Sequence, residues 1–112
     1  MERWSYEEIT QYIRDDFSEF LMDDLNVKQA TSRVQVEYQN IIEESSVEKL
    51  FIYIVLAKLG LEHGTLRDDI KEEVLKMITE EKLLKIKDDL TPNEYKNLMK
   101  DTHDLLSLIN SR

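Results

Sequence analysis

The side chains with chemistry to offer in this sequence are carboxylates: 24 Asp and Glu stand against 15 Lys and Arg, for a net charge of −9. Paired carboxylates do general acid and base work when their surroundings drive their pKa values apart, but acidic helix faces are ordinarily just solvated. Nothing else converges with them. His63 and His103 are the whole imidazole supply, and neither belongs to an HExxH nor follows a Glu by three residues, the spacings that hold metal in helical folds. Without Cys there is no thiol nucleophile, thiolate zinc site or disulfide. A chain with two Gly also has no phosphate loop, dinucleotide fingerprint or Gly-x-Ser-x-Gly elbow. The expectation is no metal, no cofactor and no catalysis. His63, just ahead of Gly64, reads as a cation at a helix C-terminus, and His103 as a residue on a polar helix face.

The informative feature is where the acid sits. Residues 1–26 hold eight acids (Glu2, Glu7, Glu8, Asp15, Asp16, Glu19, Asp23, Asp24) and two bases (Arg3, Arg14), and so carry six of the nine net negative charges. On a helix Glu8, Tyr12, Asp15, Glu19 and Asp23 fall on one stripe beside the apolar face, with Asp16 flanking it. Like charges at that spacing destabilise a helix by roughly 0.2–0.5 kcal/mol per pair, and Asp23 and Asp24 sit at the end where the dipole disfavours them. A charge pattern that works against its own helix points outward, to the steering of a basic partner. It also repels phosphate, which excludes nucleic acid and anionic membranes as direct ligands. Tyr12 adds an amphipathic ring of the kind that anchors interfaces. The plainer reading is that the stripe only confers solubility and Tyr12 lies over a neighbouring helix.

Two Gly, one Pro and 41% hydrophobic residues point to an all-α fold. Ser5 with Glu8 forms a capping box that starts a first helix, carried by Tyr6, Ile9, Ile13, Phe17, Phe20 and Leu21 to near Asp24. Asn26 with Gln29 starts a second, from about Val27 to Glu44. Ser45 with Glu48 opens a third whose residues Val47 to Leu61 are apolar nearly all round; Gly64 ends it, and β-branched Ile52, Ile54 and Val55 weigh against it. Thr65 with Asp68 starts a fourth, carried by Leu66, Ile70, Val74, Met77 and Ile78. Leu83 to Leu90 stays open between helix and extended chain. Thr91, Pro92 and Glu94 start the last helix. The expected architecture is one all-helical domain over residues 1–112, a compact, mostly antiparallel bundle of about five helices around the hydrophobic third. Arg33 is expected to make a bidentate bond to Glu37 or Glu7, and Trp4 to staple the chain onto the bundle. No signal peptide or membrane span is legible, since the longest apolar run is Leu50 to Ala57; a soluble, cytoplasmic protein follows.

Trp4, Ser5, Tyr6, Glu7 and Glu8, then Ala30 to Arg33 and Val34 with Glu37 and Tyr38, then the apolar Lys49 to Leu59 ending in His63 and Gly64, resemble Imm-type immunity proteins of bacterial polymorphic toxin systems, specifically the all-helical third family of that series. The resemblance spans about residues 3 to 80; Leu83 onward carries none of it. It implies a cytoplasmic antidote in contact-dependent competition, one that binds the toxin domain of a neighbouring gene's product, often a nuclease, and blocks it without catalysis. From the resemblance come Trp4 and Arg33 as family positions, structural rather than contacting. From the charge argument comes the partner-binding face: Glu8, Tyr12, Asp15, Asp16, Glu19 and Asp23. Two other classes fit the same residues, an adaptor that binds a helix through an apolar groove and an acidic nucleic-acid mimic that occupies a DNA-binding protein. The oligomeric state is not legible.

Overall fold

In the computed structural model, which describes residues 3–110, helices follow one another without a strand among those residues. They are α1 (Tyr6–Met22), α2 (Val27–Glu37), α3 (Gln39–Glu44), α4 (Ser46–Glu62), α5 (Asp68–Met77), α6 (Glu80–Ile86) and α7 (Pro92–Asn110), with a 3-10 turn at Lys87–Asp89. The caps read from sequence do their work. Ser5 and Glu8 bond reciprocally at α1, Asn26 and Gln29 at α2, and Thr91 and Glu94 at α7, while the Ser45 hydroxyl accepts the Glu48 N–H at α4. Each box satisfies amide donors that the first turn cannot bond internally.

The buried side chains form one cluster, with α4 at its centre. α1, α3, α5 and α7 all pack on α4, and Phe51, Ile52, Ile54, Val55 and Ala57 are fully enclosed. Burial decides the helix-or-strand ambiguity of this segment. Enclosing a branched aliphatic side chain contributes about 1.5–3 kcal/mol, several times its helix-propensity deficit. The α4 C-terminus closes in a Schellman turn: Gly64 takes φ +74°, its N–H reaches the Leu61 carbonyl (3.1 Å), and the Thr65 N–H reaches the Gly60 carbonyl (2.7 Å).

Three expectations change. The second helix does not run to Glu44 but breaks at Tyr38 (φ −103°, ψ 12°) into α2 and α3. α2 packs on α1 whereas α3 packs on α4, and a straight rod cannot follow both; the chain turns where the buried Tyr38 ring wedges against Trp4. Thr65 does not cap the next helix, because its backbone is committed to the Schellman turn. α5 begins instead at Asp68, with Arg67 at the cap position and no side-chain cap bond. Leu83 to Leu90 resolves into α6 and the 3-10 turn, with Thr79 accepting the Lys82 N–H (3.3 Å) and Leu83 buried. The helix count among the described residues is therefore seven, not five.

Candidate functional site

Helical periodicity puts Tyr6, Ile9, Ile13, Phe17 and Phe20 of α1 into the core. The flank beside that face is thereby left outward. Glu8, Tyr12, Asp15, Glu19 and Asp23 are exposed along it, and Asp16 is half-buried at its edge. The molecule is 22 Å through its thinnest dimension, about two helix diameters, so a helix packed on α4 keeps its far side in solvent. α1 is pinned in rotation by α4 and α7. Arg14 makes a bidentate pair with Glu62 of α4 (3.0 and 2.8 Å), the Tyr6 hydroxyl donates to Asp101 of α7, and Asn97 of α7 donates to Glu7 (3.1 Å).

The stripe is electrostatically open. Among the described residues no Lys or Arg nitrogen lies within 4.0 Å of the carboxylates of Glu8, Asp15, Asp16, Glu19 or Asp23; Glu62, Asp69, Glu73, Glu81, Glu94 and Asp101 each have a cation, while other exposed acids such as Glu43, Glu72 and Asp104 stand as unpaired as the stripe. The bonds the stripe does make are neutral donors: the Ser5 N–H to Glu8 (3.0 Å), the Gln11 amide to Asp15 (2.9 Å) and the Tyr38 hydroxyl to Asp16 (2.8 Å). Burial, reinforced by the bond to Asp16, holds the Tyr38 hydroxyl protonated well above the usual phenol range; burial and Asp101 do the same for Tyr6. Negative charge on α1 is thus oriented by hydrogen bonds without being neutralised.

Aromatic side chains interleave with these acids at the start of the stripe. Trp4, half-buried, meets Tyr12 edge-on at 5.2 Å between ring centres and Tyr38 at 6.2 Å. Tyr12 stays 41% exposed, so it lies against a neighbour and still offers a ring face to solvent. Trp4 does join the chain start to the bundle, against Tyr12 and Tyr38.

Arg33 departs from expectation. It forms no ion pair with a described carboxylate; its guanidinium lies over the Phe20 ring, 5.6 Å from the centre. Glu7, one of the two partners expected for it, is turned to Asn97. Arg33 also lines a shallow groove with Lys28, Arg67, Leu25 and Val36, three cations together with two apolar side chains. The Arg67 fork is occupied by Asp69, with Ser32 taking its third nitrogen at 2.8 Å. His63 is the C-cap residue of α4, exposed, with its ring 5.5 Å from that of Phe17; His103 is exposed on α7.

A second polar centre was only half legible. Glu94, 3% exposed, was visible as the cap partner of Thr91, yet it also accepts the Tyr6 N–H (2.9 Å) and both terminal nitrogens of Arg3 (2.8 Å each). Arg3 lies over the Phe51 ring and donates to the Asp89 carbonyl as well. One buried carboxylate thereby ties the start of α1 to the start of α7. Nothing in the spacing of residues 3 and 94 signals this.

Among the described residues no group of three or more His, Cys, Asp or Glu is arranged to hold a metal ion, and no helix is long and apolar enough to cross a membrane. The family model for immunity protein Imm3 matches residues 2–112, so the likeness reaches past residue 80 and includes α6 and α7. No curated protein and no solved structure matches the chain.

Proposed function

The chain belongs to the Imm3 family of immunity proteins, whose function implies a cognate toxin as partner, and on that premise we propose that it neutralises a cationic toxin domain by docking the acidic face of α1 upon it. A nuclease domain is the natural recipient, because a surface that grips phosphate is basic and five unneutralised carboxylates on one rigid helix can occupy it. Inhibition needs no chemistry from the immunity protein; occupancy of the substrate site or a surface beside it suffices. The toxin would be the C-terminal part of a polymorphic toxin encoded next door, and the meeting place the cytoplasm.

One observation carries the placement: among the described residues, five carboxylates with no cation of their own stand together along one side of α1 and its C-cap. Trp4 and Tyr12 supply the ring surface that such an interface concentrates its energy on. The test is Asp15→Lys, Glu19→Lys and Asp23→Lys together, with association to the C-terminal domain of the adjacent toxin followed by stopped flow across a salt series. Association slows by at least about tenfold at low salt and its salt dependence flattens. Unchanged kinetics at low salt, with the circular dichroism spectrum intact, would refute it.

A second reading has its own observation. Leu50, Met77 and Ile86 line a groove between α4, α5 and α6, rimmed by Lys49, Lys82 and Lys85, that suits an adaptor binding a partner helix. Its complex would be nearly indifferent to the three α1 reversals and would fail on Met77→Glu.

A further inference from the structure

We infer that the groove of α2 is a second, oppositely charged recognition site, which takes an acidic segment carrying an apolar anchor from the same toxin domain. This rests on the reading of the chain as a toxin-binding immunity protein. Lys28 and Arg33 are the only bases between residues 27 and 46, and both converge on one groove with Arg67, which arrives from the α4–α5 connection. Asp69 neutralises Arg67. Lys28 and Arg33 form no ion pair with a described residue, so in a chain of net charge −9 the groove keeps two uncompensated cations.

Its lining tells against a small anion. Phosphate sites converge N–H donors on a point. Here Lys28 and Arg33 are five residues apart on α2, about 7.5 Å of helix rise, with Leu25 before them and Val36 after them in the same lining, and Val36 is 69% exposed, an apolar surface left uncovered beside charge. That combination suits a peptide segment whose acids meet Lys28 and Arg33 while a leucine-like side chain covers Val36. A polyanion would meet the repulsion of the whole protein, whereas a short segment can add the burial of Leu25 and Val36 to two charge contacts.

The two sites adjoin. Leu25 lies two residues past Asp23, the last acid of the stripe, and Arg33 is seated on Phe20, between Glu19 and Asp23. A partner with a basic patch beside an acidic segment can dock across both in one orientation only, and a partner with one of them meets like charge at the other. The groove would thus select the cognate toxin among basic domains that the acidic face alone would tolerate.

The probe is a fluorescein-labelled peptide alternating glutamate and leucine, titrated with the full chain at low and physiological salt, with a lysine–leucine peptide as the control of sign. The glutamate peptide binds, and binding weakens about tenfold with Lys28→Glu, Arg33→Glu or Val36→Asp, a loss in proportion to one close charge contact or the apolar anchor. Arg33→Glu also removes the contact with Phe20, so Lys28→Glu and Val36→Asp, both on exposed residues, decide the matter. Amide NMR shifts fall on α2 and around Arg67. No binding by the wild-type chain, indifference to Lys28→Glu and Val36→Asp, or displacement by inorganic phosphate would each overturn the proposal. The triple lysine variant of α1 leaves peptide binding in place, so failure of the acidic-face reading and failure of this one are told apart.

Discussion

Replacing Glu94 with Gln tests the polar joint that sets the pose of α1. The carboxylate is 3% exposed and accepts four bonds, from Thr91 N–H, Tyr6 N–H and both Arg3 terminal nitrogens, between 2.8 and 3.0 Å. Arg3 is the first cause, with the two amides helping, of a carboxyl held at about 2 against its ordinary 4.5 despite burial. At 1.36 kcal/mol per pH unit this amounts to about 3 kcal/mol of folding stability. The raised pKa of Arg3 is the same bond viewed from its other end and adds nothing. A carboxyl depressed in the folded state takes its proton first in the unfolded chain. The contribution is therefore complete above the ordinary carboxyl pKa and disappears as pH falls from about 5 to about 2. Glu94→Gln places an amide among donors and should cost about 2–4 kcal/mol at neutral pH, the lower end reflecting the partial exposure of Arg3. Urea denaturation of both proteins from pH 7 to pH 2 should show that gap closing by about 3 kcal/mol as the wild type loses what the variant never had. Glu62 and Asp69, also held low by arginines, titrate in both proteins and cancel in the difference. Parallel stability curves across the whole range would refute the reasoning.

Three further substitutions test local geometry by thermal or urea unfolding. Asp24 ends α1 at φ +70° in its own Schellman turn, so Asp24→Gly should stabilise by about 0.5–1 kcal/mol; relief of the left-handed strain and of an acid at the helix's negative end outweighs the added freedom of the unfolded chain. A loss would mean the carboxylate holds something in place. A Cβ at Gly60 would stand 2.7 Å from the Thr65 carbonyl oxygen, so Gly60→Ala should destabilise by about 1–3 kcal/mol, and a neutral result would show that the α4–α5 connection can shift. Tyr38→Phe removes the hydroxyl bond to Asp16 and should cost about 1 kcal/mol while leaving helical content unchanged; a loss of helix would mean the bond, rather than packing, sets the α2–α3 bend.

The starts of α1, α2, α4 and α7 were legible because capping is local: a hydroxyl or amide three residues from Glu or Gln meets the same first-turn amides wherever it falls. The α2–α3 break was not. Residues 36–41 contain no Gly, no Pro and no side-chain cap for α3, and the turn exists because α1 and α4 present different surfaces to successive parts of one amphipathic stretch. Thr65 failed for a related reason. Its type suits a cap, but its backbone had already been claimed by the Schellman turn that Gly64 made legible. α6 was ambiguous because seven residues with a single buried side chain carry too little periodicity to separate a short helix from extended chain.

The outward direction of the α1 acids follows from periodicity alone, since fixing Ile9, Ile13 and Phe17 inward leaves Asp15 and Glu19 no other place. Their lack of cations does not follow, because that depends on where Lys and Arg side chains from distant segments arrive. Arg33 shows the difficulty: the nearest acids in sequence suggested a salt bridge, yet the fold offers it the face of Phe20 and a groove shared with Lys28. A planar cation resting on a ring keeps its edge donors available, which a bidentate carboxylate would have consumed. Since Phe20 belongs to the same helix that displays the acids, the packing that turns those acids outward also seats the cation beside them. Opposite charges held next to each other on one surface without quenching require a scaffold that keeps them apart. The bidentate Arg14–Glu62 pair and the Glu94 joint, which fix α1 against α4 and α7, provide that restraint. Loosening Glu94 should therefore blunt recognition before it unfolds the protein, an effect that shows as slower toxin association at temperatures where Glu94→Gln is still fully helical.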